Sequence, residues 1–373
     1  MTRLAPLLLI AALLVAGCPE DSYNMTENPV DSNSEEDGVQ GGGDAVEDAT
    51  VEDTGPPFNK TLGWKVLNTG ANETWNTIYG VELPGGDYQV FVGGALGTVM
   101  YYASADKKWH HIDTASSLNV ASIWAEDASY VVIAGEGGLL KRYYKYGDKP
   151  DWYNDDLTTG IFKDLNAVHG LKKDALWAVG AKGTILRFNG TEWSKMDPSV
   201  LPLPNDLPDL YSVHVIGPDD VLLGGKGVVA WLHQGTWSVD IYTFKDNEVK
   251  GIFSRDGKVW MAAGKGMLYQ IDMGSAYNPH QPNVYSLFDS IWISPSGKVY
   301  AGASSPPPIV WVFDGNKQDA WEDLAVESPK FIKDKYPTRI VTNTRVSGIW
   351  GTGDENIFAC TKEKQVLQYA VHD

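Results

Sequence analysis

Seven short apolar segments of the chain share one register: "NTIYGV", "ASIWAE", "NAVHGL", "YSVHVI", "KGIFSR", "DSIWIS" and "SGIWGT". Their fourth positions hold Tyr79, Trp124, His169, His214, Phe253, Trp292 and Trp350, all aromatic or histidine. Brought together, such rings can grip the flat face of a sugar or an aliphatic chain. Large flat groups can equally fill the taper where repeated units converge, and that packing role is the one favoured here. His169 and His214 stand in adjacent segments and offer two imidazoles, but no third donor is identifiable and no metal is expected. Glycoside cleavage needs two positioned carboxylates. The aspartates Asp174, Asp219, Asp220, Asp256 and Asp354 instead occupy turn positions, where their side chains cap the local backbone. The arginines share no equivalent position, and there is no nucleophile elbow, zinc motif or phosphate loop. No catalytic residue and no cofactor are predicted, and the chain reads as non-enzymatic.

A second group of residues has chemistry of another kind. The stretch "AVESPKFIKDKYPTRIVTNTR", residues 325–345, gathers Lys330, Lys333, Lys335, Arg339 and Arg345 into a positive patch on an otherwise acidic chain. It is the longest connection between repeated units. Long loops on rigid scaffolds often carry recognition, so this patch is the candidate partner surface. "LPLPNDLPDL" (201–210) is a second proline-rich connection, and "SSPPPI" (304–309) replaces a tight turn.

A repeat must position all of these. Paired apolar strands flank a small or glycine-rich turn in "QVFVGGALGTVMYY", "YVVIAGEGGLLKRY", "ALWAVGAKGTILRF", "DVLLGGKGVVAWL" and "KVWMAAGKGMLYQI", with two worn copies starting at Lys298 and Asn356. The turn glycines Gly97, Gly138, Gly183, Gly227 and Gly266 recur every 39 to 45 residues. No helix follows them, so they read as hairpin turns rather than as a phosphate cradle. Downstream strands carry Trp109, Trp152, Trp193, Trp237 and Trp321. The seventh copy lacks a fourth strand, while "LGWKVL" near the N-terminus has the outer-strand pattern. The prediction is an all-β, seven-bladed β-propeller over 58–373, its last blade closed by the N-terminal strand. Cys360 falls in a buried strand.

The pattern apolar–Trp–Ala–Val–Gly-x-x-Gly-x-Ile, followed by Asn–Gly-x-x-Trp, resembles the repeats of photosystem II assembly factor-like propellers, and more loosely those of Asp-box proteins. "SRDGKVW" is one residue short of an Asp box. The resemblance covers 62–373 and implies a non-enzymatic scaffold.

The N-terminus gives the address. "MTRLAPLLLIAALLVAGC" has one cation, Arg3, then a 13-residue apolar run, too short to span a bilayer, which takes ~20 residues. Val15-Ala16-Gly17-Cys18 resembles the lipobox of bacterial lipoproteins. The resemblance implies removal of 1–17 and lipidation of Cys18, hence a membrane anchor. Pro19, where an Asp would favour the inner membrane, points to the outer membrane, with the facing side open. Of the formal charge of −18, residues 19–57 contribute twelve acidic groups and no basic ones, leaving −7 on 58–373. Residues 18–57 read as a lipidated, disordered acidic linker. An acidic propeller without a basic face argues against nucleic acid. The expected protein is a monomeric cell-envelope binding module for an unknown protein. The alternative is a carbohydrate-binding or carbohydrate-active protein working at the aromatic ring.

Overall fold

The computed structural model describes residues 61–372, apart from 128, 146–152, 157–159, 161, 202, 204–206, 272–276, 281–286, 305–309, 314–320 and 324–344. These described residues fall within one compact unit, 56–373. Among the described residues twenty-eight strands form seven four-stranded antiparallel sheets, the seven blades of a β-propeller. The inner strands of blades 1 to 7 are Trp75–Glu82, Val120–Asp127, Leu165–Lys172, Leu210–Gly217, Val249–Arg255, Phe288–Ile293 and Val346–Gly353. Each packs against the inner strand of the next blade, and blade 7 packs against blade 1.

The closure predicted from sequence is present. Blade 7 takes its outer strand from Thr61–Leu67, which pairs antiparallel with Val366–His372, from Thr61 opposite His372 to Leu67 opposite Val366. Trp64 is buried in that joint. Each inner strand stays the axial edge of its sheet, and the closed ring of neighbouring blades protects it.

Burial follows from blades stacking face to face. The second strand of each blade has neighbours on both faces, so it is apolar throughout: Val90, Phe91 and Val92, or Val131, Val132 and Ile133, are all fully buried. Outer strands such as Thr236–Asp240 alternate instead. The core is a set of seams between neighbouring blades. Cys360 lies fully buried in one of them, and burial pushes its thiol up to about 11.

The glycine column does what its spacing predicts. Gly97, Gly138, Gly183, Gly227 and Gly266 all have φ between 64° and 83°. In blades 1 and 3 the residue before the glycine, Leu96 or Lys182, is left-handed too, which gives a hairpin turn of the twist that matches the strands. These turns then dock on the next outer-to-inner connection. The amide N–H of Leu96 donates to Asn119 Oδ1 at 3.1 Å, that of Gly137 to Asp164 Oδ1 at 2.8 Å, and that of Lys182 to Asp209 Oδ1 at 2.8 Å. Second-to-third turns and outer-to-inner connections therefore share one face of the ring. The opposite face holds the other turns.

Candidate functional site

Every inner strand begins with the same irregularity. The pairing register slips by one residue between Trp75 and Thr77, Val120 and Ser122, Leu165 and Ala167, Leu210 and Ser212, Val249 and Gly251, Phe288 and Ser290, and Val346 and Gly348. Each slip is a β-bulge, which re-aims the extra side chain. The seven bulged residues are Asn76, Ala121, Asn166, Tyr211, Lys250, Asp289 and Ser347. All seven line one axial cavity of about 510 Å³, which opens on the face of the outer-to-inner connections.

Three bulged residues latch blades together. Asn76 Nδ2 donates to Val120 O at 2.8 Å, Asn166 Nδ2 to Leu210 O at 2.7 Å, and Ser347 Oγ to Trp75 O at 2.7 Å. In each case the acceptor is the carbonyl just before the next bulged residue. Blades 5 and 6 carry charge instead. Lys250 Nζ lies 3.4 Å from Asp289 Oδ1 and 2.9 Å from Glu248 Oε2, and 5.9 Å over the Tyr211 ring. Arg345 Nε donates to Asp289 Oδ2, and Lys362 Nζ donates to Asn76 Oδ1. Burial, and after it the charge of Arg345, holds the Lys362 ammonium below the usual lysine range. Burial, with Glu248 and Asp209 nearby, raises the Tyr211 phenol.

Below this mouth lies the ring picked out from sequence. Tyr79, His169, His214, Phe253 and Trp350 line both the mouth cavity and a second cavity of about 400 Å³ towards the opposite face. They are the waist of the axis. Trp124 and Trp292 line neither cavity among those described; they are 2% and 0% exposed and pack into blade seams. Trp350, 8% exposed, lies on Gly80, where a Cβ would come within 2.3 Å of the indole. Trp292 lies on Gly351, at 2.9 Å by the same measure.

The two histidine rings lie against each other, tilted by 33°, with centroids 4.3 Å apart. His169 Nδ1 accepts the N–H of Val215 at 3.1 Å, so its proton sits on Nε2. His214 Nε2 accepts the N–H of Ser254 at 3.1 Å, with the Ser254 hydroxyl 2.8 Å away, so its proton sits on Nδ1. Burial pushes His169 down to about 4; burial, and then His169 itself, pushes His214 well below its usual value. Both imidazoles are neutral and both lone pairs face backbone donors, an arrangement suited to packing.

Of the predicted partner patch, Arg345 is described and stands at the cavity mouth. Lys330, Lys333, Lys335 and Arg339 lie outside the described residues, as do Cys18, the acidic linker and most of "SSPPPI". Sequence reasoning missed the bulged ring and Lys362. The signal was in plain view: the bulged residues are the first letters of the seven aligned segments, in six of seven a polar or charged residue ahead of an apolar strand.

A surface feature completes the mouth face. Among the described residues, Leu118, Phe162, Val200, Tyr242 and Leu287 are exposed large hydrophobics, one on each of the five successive connections from blade 1 to blade 6. Phe162 and Tyr242 are each 89% exposed. Leu96, in a turn of the same face, is a sixth, against three elsewhere: Leu62, Leu171 and Val371.

No protein-family model and no curated protein sequence matches the chain. Solved structures do. YCF48 bound to D1 peptide superposes with a TM-score of 0.60 at 13% identity, covering 83% of this chain and 97% of that one. The WD40 β-propeller domain of Doa1 gives 0.60 at 11%, covering 84% and 98%. The extracellular domain of a putative one-component system from B. thetaiotaomicron gives 0.58 at 14%, covering 83% of this chain and 40% of that one. At such identities the likeness establishes the propeller fold and nothing finer.

Proposed function

We propose that this protein is a non-enzymatic binding module of the bacterial cell envelope, anchored through lipid on Cys18, that engages a protein partner with the mouth face of its propeller. The observation that carries the reading is the placement of exposed apolar side chains on five consecutive connections of one face. Soluble surfaces seldom gather large hydrophobics in this way without a partner to cover them. The peptide in the YCF48 complex gives a precedent for ligand capture by a propeller of this shape. A sugar-gripping role for the axial ring has less support, because Trp124, Trp292 and Trp350 are committed to packing between blades.

The direction of the closing strand favours the same face. Thr61–Leu67 runs towards the connection that leads into blade 1, so its first residue lies at the opposite face. The chain therefore enters the described propeller at the face opposite the mouth. The test is recovery of the full chain from the envelope with its bound protein. Phe162→Ser with Tyr242→Ser should lose the co-purifying protein and keep the melting temperature, since both side chains sit in solvent. Unchanged co-purification contradicts the reading. Cys18→Ser should move the protein from the membrane to the soluble fraction; retention in the membrane contradicts the anchor.

A further inference from the structure

We propose that the mouth of the axial cavity is an anion-reading subsite: Lys250, Arg345 and Lys362, grouped about Asp289, receive a side-chain carboxylate from an acidic, apolar-flanked segment of the partner. This rests on the mouth face being the binding face and names the chemistry it reads.

Charge is the first argument. The charged residues lining the mouth are Lys250, Arg345, Lys362 and Asp289; counted with Glu248, which pairs with Lys250, they leave one net positive charge on a propeller of −7. The cavity at the other end of the axis has one acid and one base, Glu82 and Arg255. An acidic segment is thus repelled by the body in general and drawn to one place, which fixes its register.

Preorganisation is the second. Asp289 is only 9% exposed and pairs with both Lys250 and Arg345, which holds those cations at the axis. Lys362 forms no ion pair among the described residues; its described hydrogen-bond acceptor is the neutral Asn76 Oδ1. A half-desolvated ammonium with a neutral acceptor gains more from an incoming carboxylate than a solvated one does. Lys250 and Asp289 stand on bulges of inner strands, and Arg345 and Lys362, each just outside a strand, are joined by the Lys362 N–H to Arg345 O bond of 3.1 Å. A cavity of about 510 Å³ admits projecting side chains and no folded domain. The exposed Leu118, Phe162, Tyr242 and Leu287 around it match apolar residues flanking the acid.

The test uses the purified full chain and two dansyl-labelled, end-blocked hexapeptides, Gly-Leu-Glu-Glu-Leu-Gly and its Gln-Gln counterpart, read by anisotropy. The glutamate peptide should bind roughly tenfold more tightly or better, with affinity falling steeply with salt. Lys362→Gln and Arg345→Gln should each erase most of that preference. Asp289→Asn should strengthen it by severalfold, a gain that loss of folding cannot mimic. Equal binding of the two peptides, or a preference indifferent to all three substitutions, overturns the proposal. Free citrate binding as tightly as the glutamate peptide overturns the assignment to a protein segment and leaves a small-anion site. Undiminished capture of the envelope partner by the doubly substituted Arg345→Gln, Lys362→Gln protein also overturns it, while leaving the proposed function standing.

Discussion

His169 and His214 show how far a residue's type falls short of its role. Their alignment with five aromatic residues was legible in the sequence. Their acceptance of the Val215 and Ser254 amides was not, because it depends on a neighbouring blade some 40 residues away in the chain. The consequence is a pH dependence. Unfolding returns both imidazoles to water, where they titrate near 6.5. The unfolded chain then takes up protons that the fold refuses. Their contribution is complete above pH 6.5 and is lost as pH falls below it, that of His169 down to about 4. At pH 4.5, His169 alone should account for a loss of about 2 kcal/mol relative to pH 7. The carboxylates held low by hydrogen bonds, such as Asp197, lose their contribution only at lower pH, and Asp354 behaves likewise. Thermal melts between pH 7 and 4.5 check this. His169→Gln should flatten the profile, and an unchanged slope would count against the buried neutral pair. Asp354 marks a second limit of sequence reading. Its place in a turn was legible, but its carboxylate reaches out of that turn to Ser296 Oγ at 2.7 Å and Tyr300 Oη at 3.1 Å in blade 6.

At the scale of the element, the inner strand is the informative unit. Its hydrophobic register and following hairpin could be read directly, since apolar runs and turn glycines are local signals. The bulge itself could not, because it is a property of pairing between two strands; the polar or charged first letter of six of the seven segments was its only local trace. Yet the bulge sets the site: it turns Asn76, Asn166, Lys250, Asp289 and Ser347 to the axis while the strand keeps its apolar face in the seams. Two substitutions measure its worth. Asn166→Ala removes the donor to Leu210 O and should cost about 1 kcal/mol, seen as a small drop in denaturation midpoint with unchanged slope. Gly80→Ala drives a methyl into the Trp350 indole and should cost about 1–3 kcal/mol. If Gly80→Ala were neutral, Trp350 would not be wedged between blades 7 and 1, and the ligand-gripping account of the ring would regain ground.

For the molecule as a whole, the ring, its blade count and its closure by the N-terminal strand were all legible, because repeats of 39 to 45 residues repeat the same physics. What was not legible was which face works. The long basic connection at 325–345 drew attention, and its last residue, Arg345, does stand at the mouth. The apolar residues on the other connections carry no motif. They become meaningful only once folding sets them on one face. The closing strand predicts its own test: deletion of 61–67 should unzip the joint with Val366–His372, expose Trp64's partners and broaden the unfolding transition. The measurement that bears most directly on the account is site-specific photo-crosslinking in intact cells, with a benzophenone side chain placed in turn at Leu118, Phe162, Tyr242 and Leu287, and at Leu62 and Val371 in the outer and third strands of blade 7, away from the mouth. The account predicts one protein adduct shared by the first four positions and absent from the last two. Adducts at Leu62 and Val371 alone, or at none of the six, would contradict it.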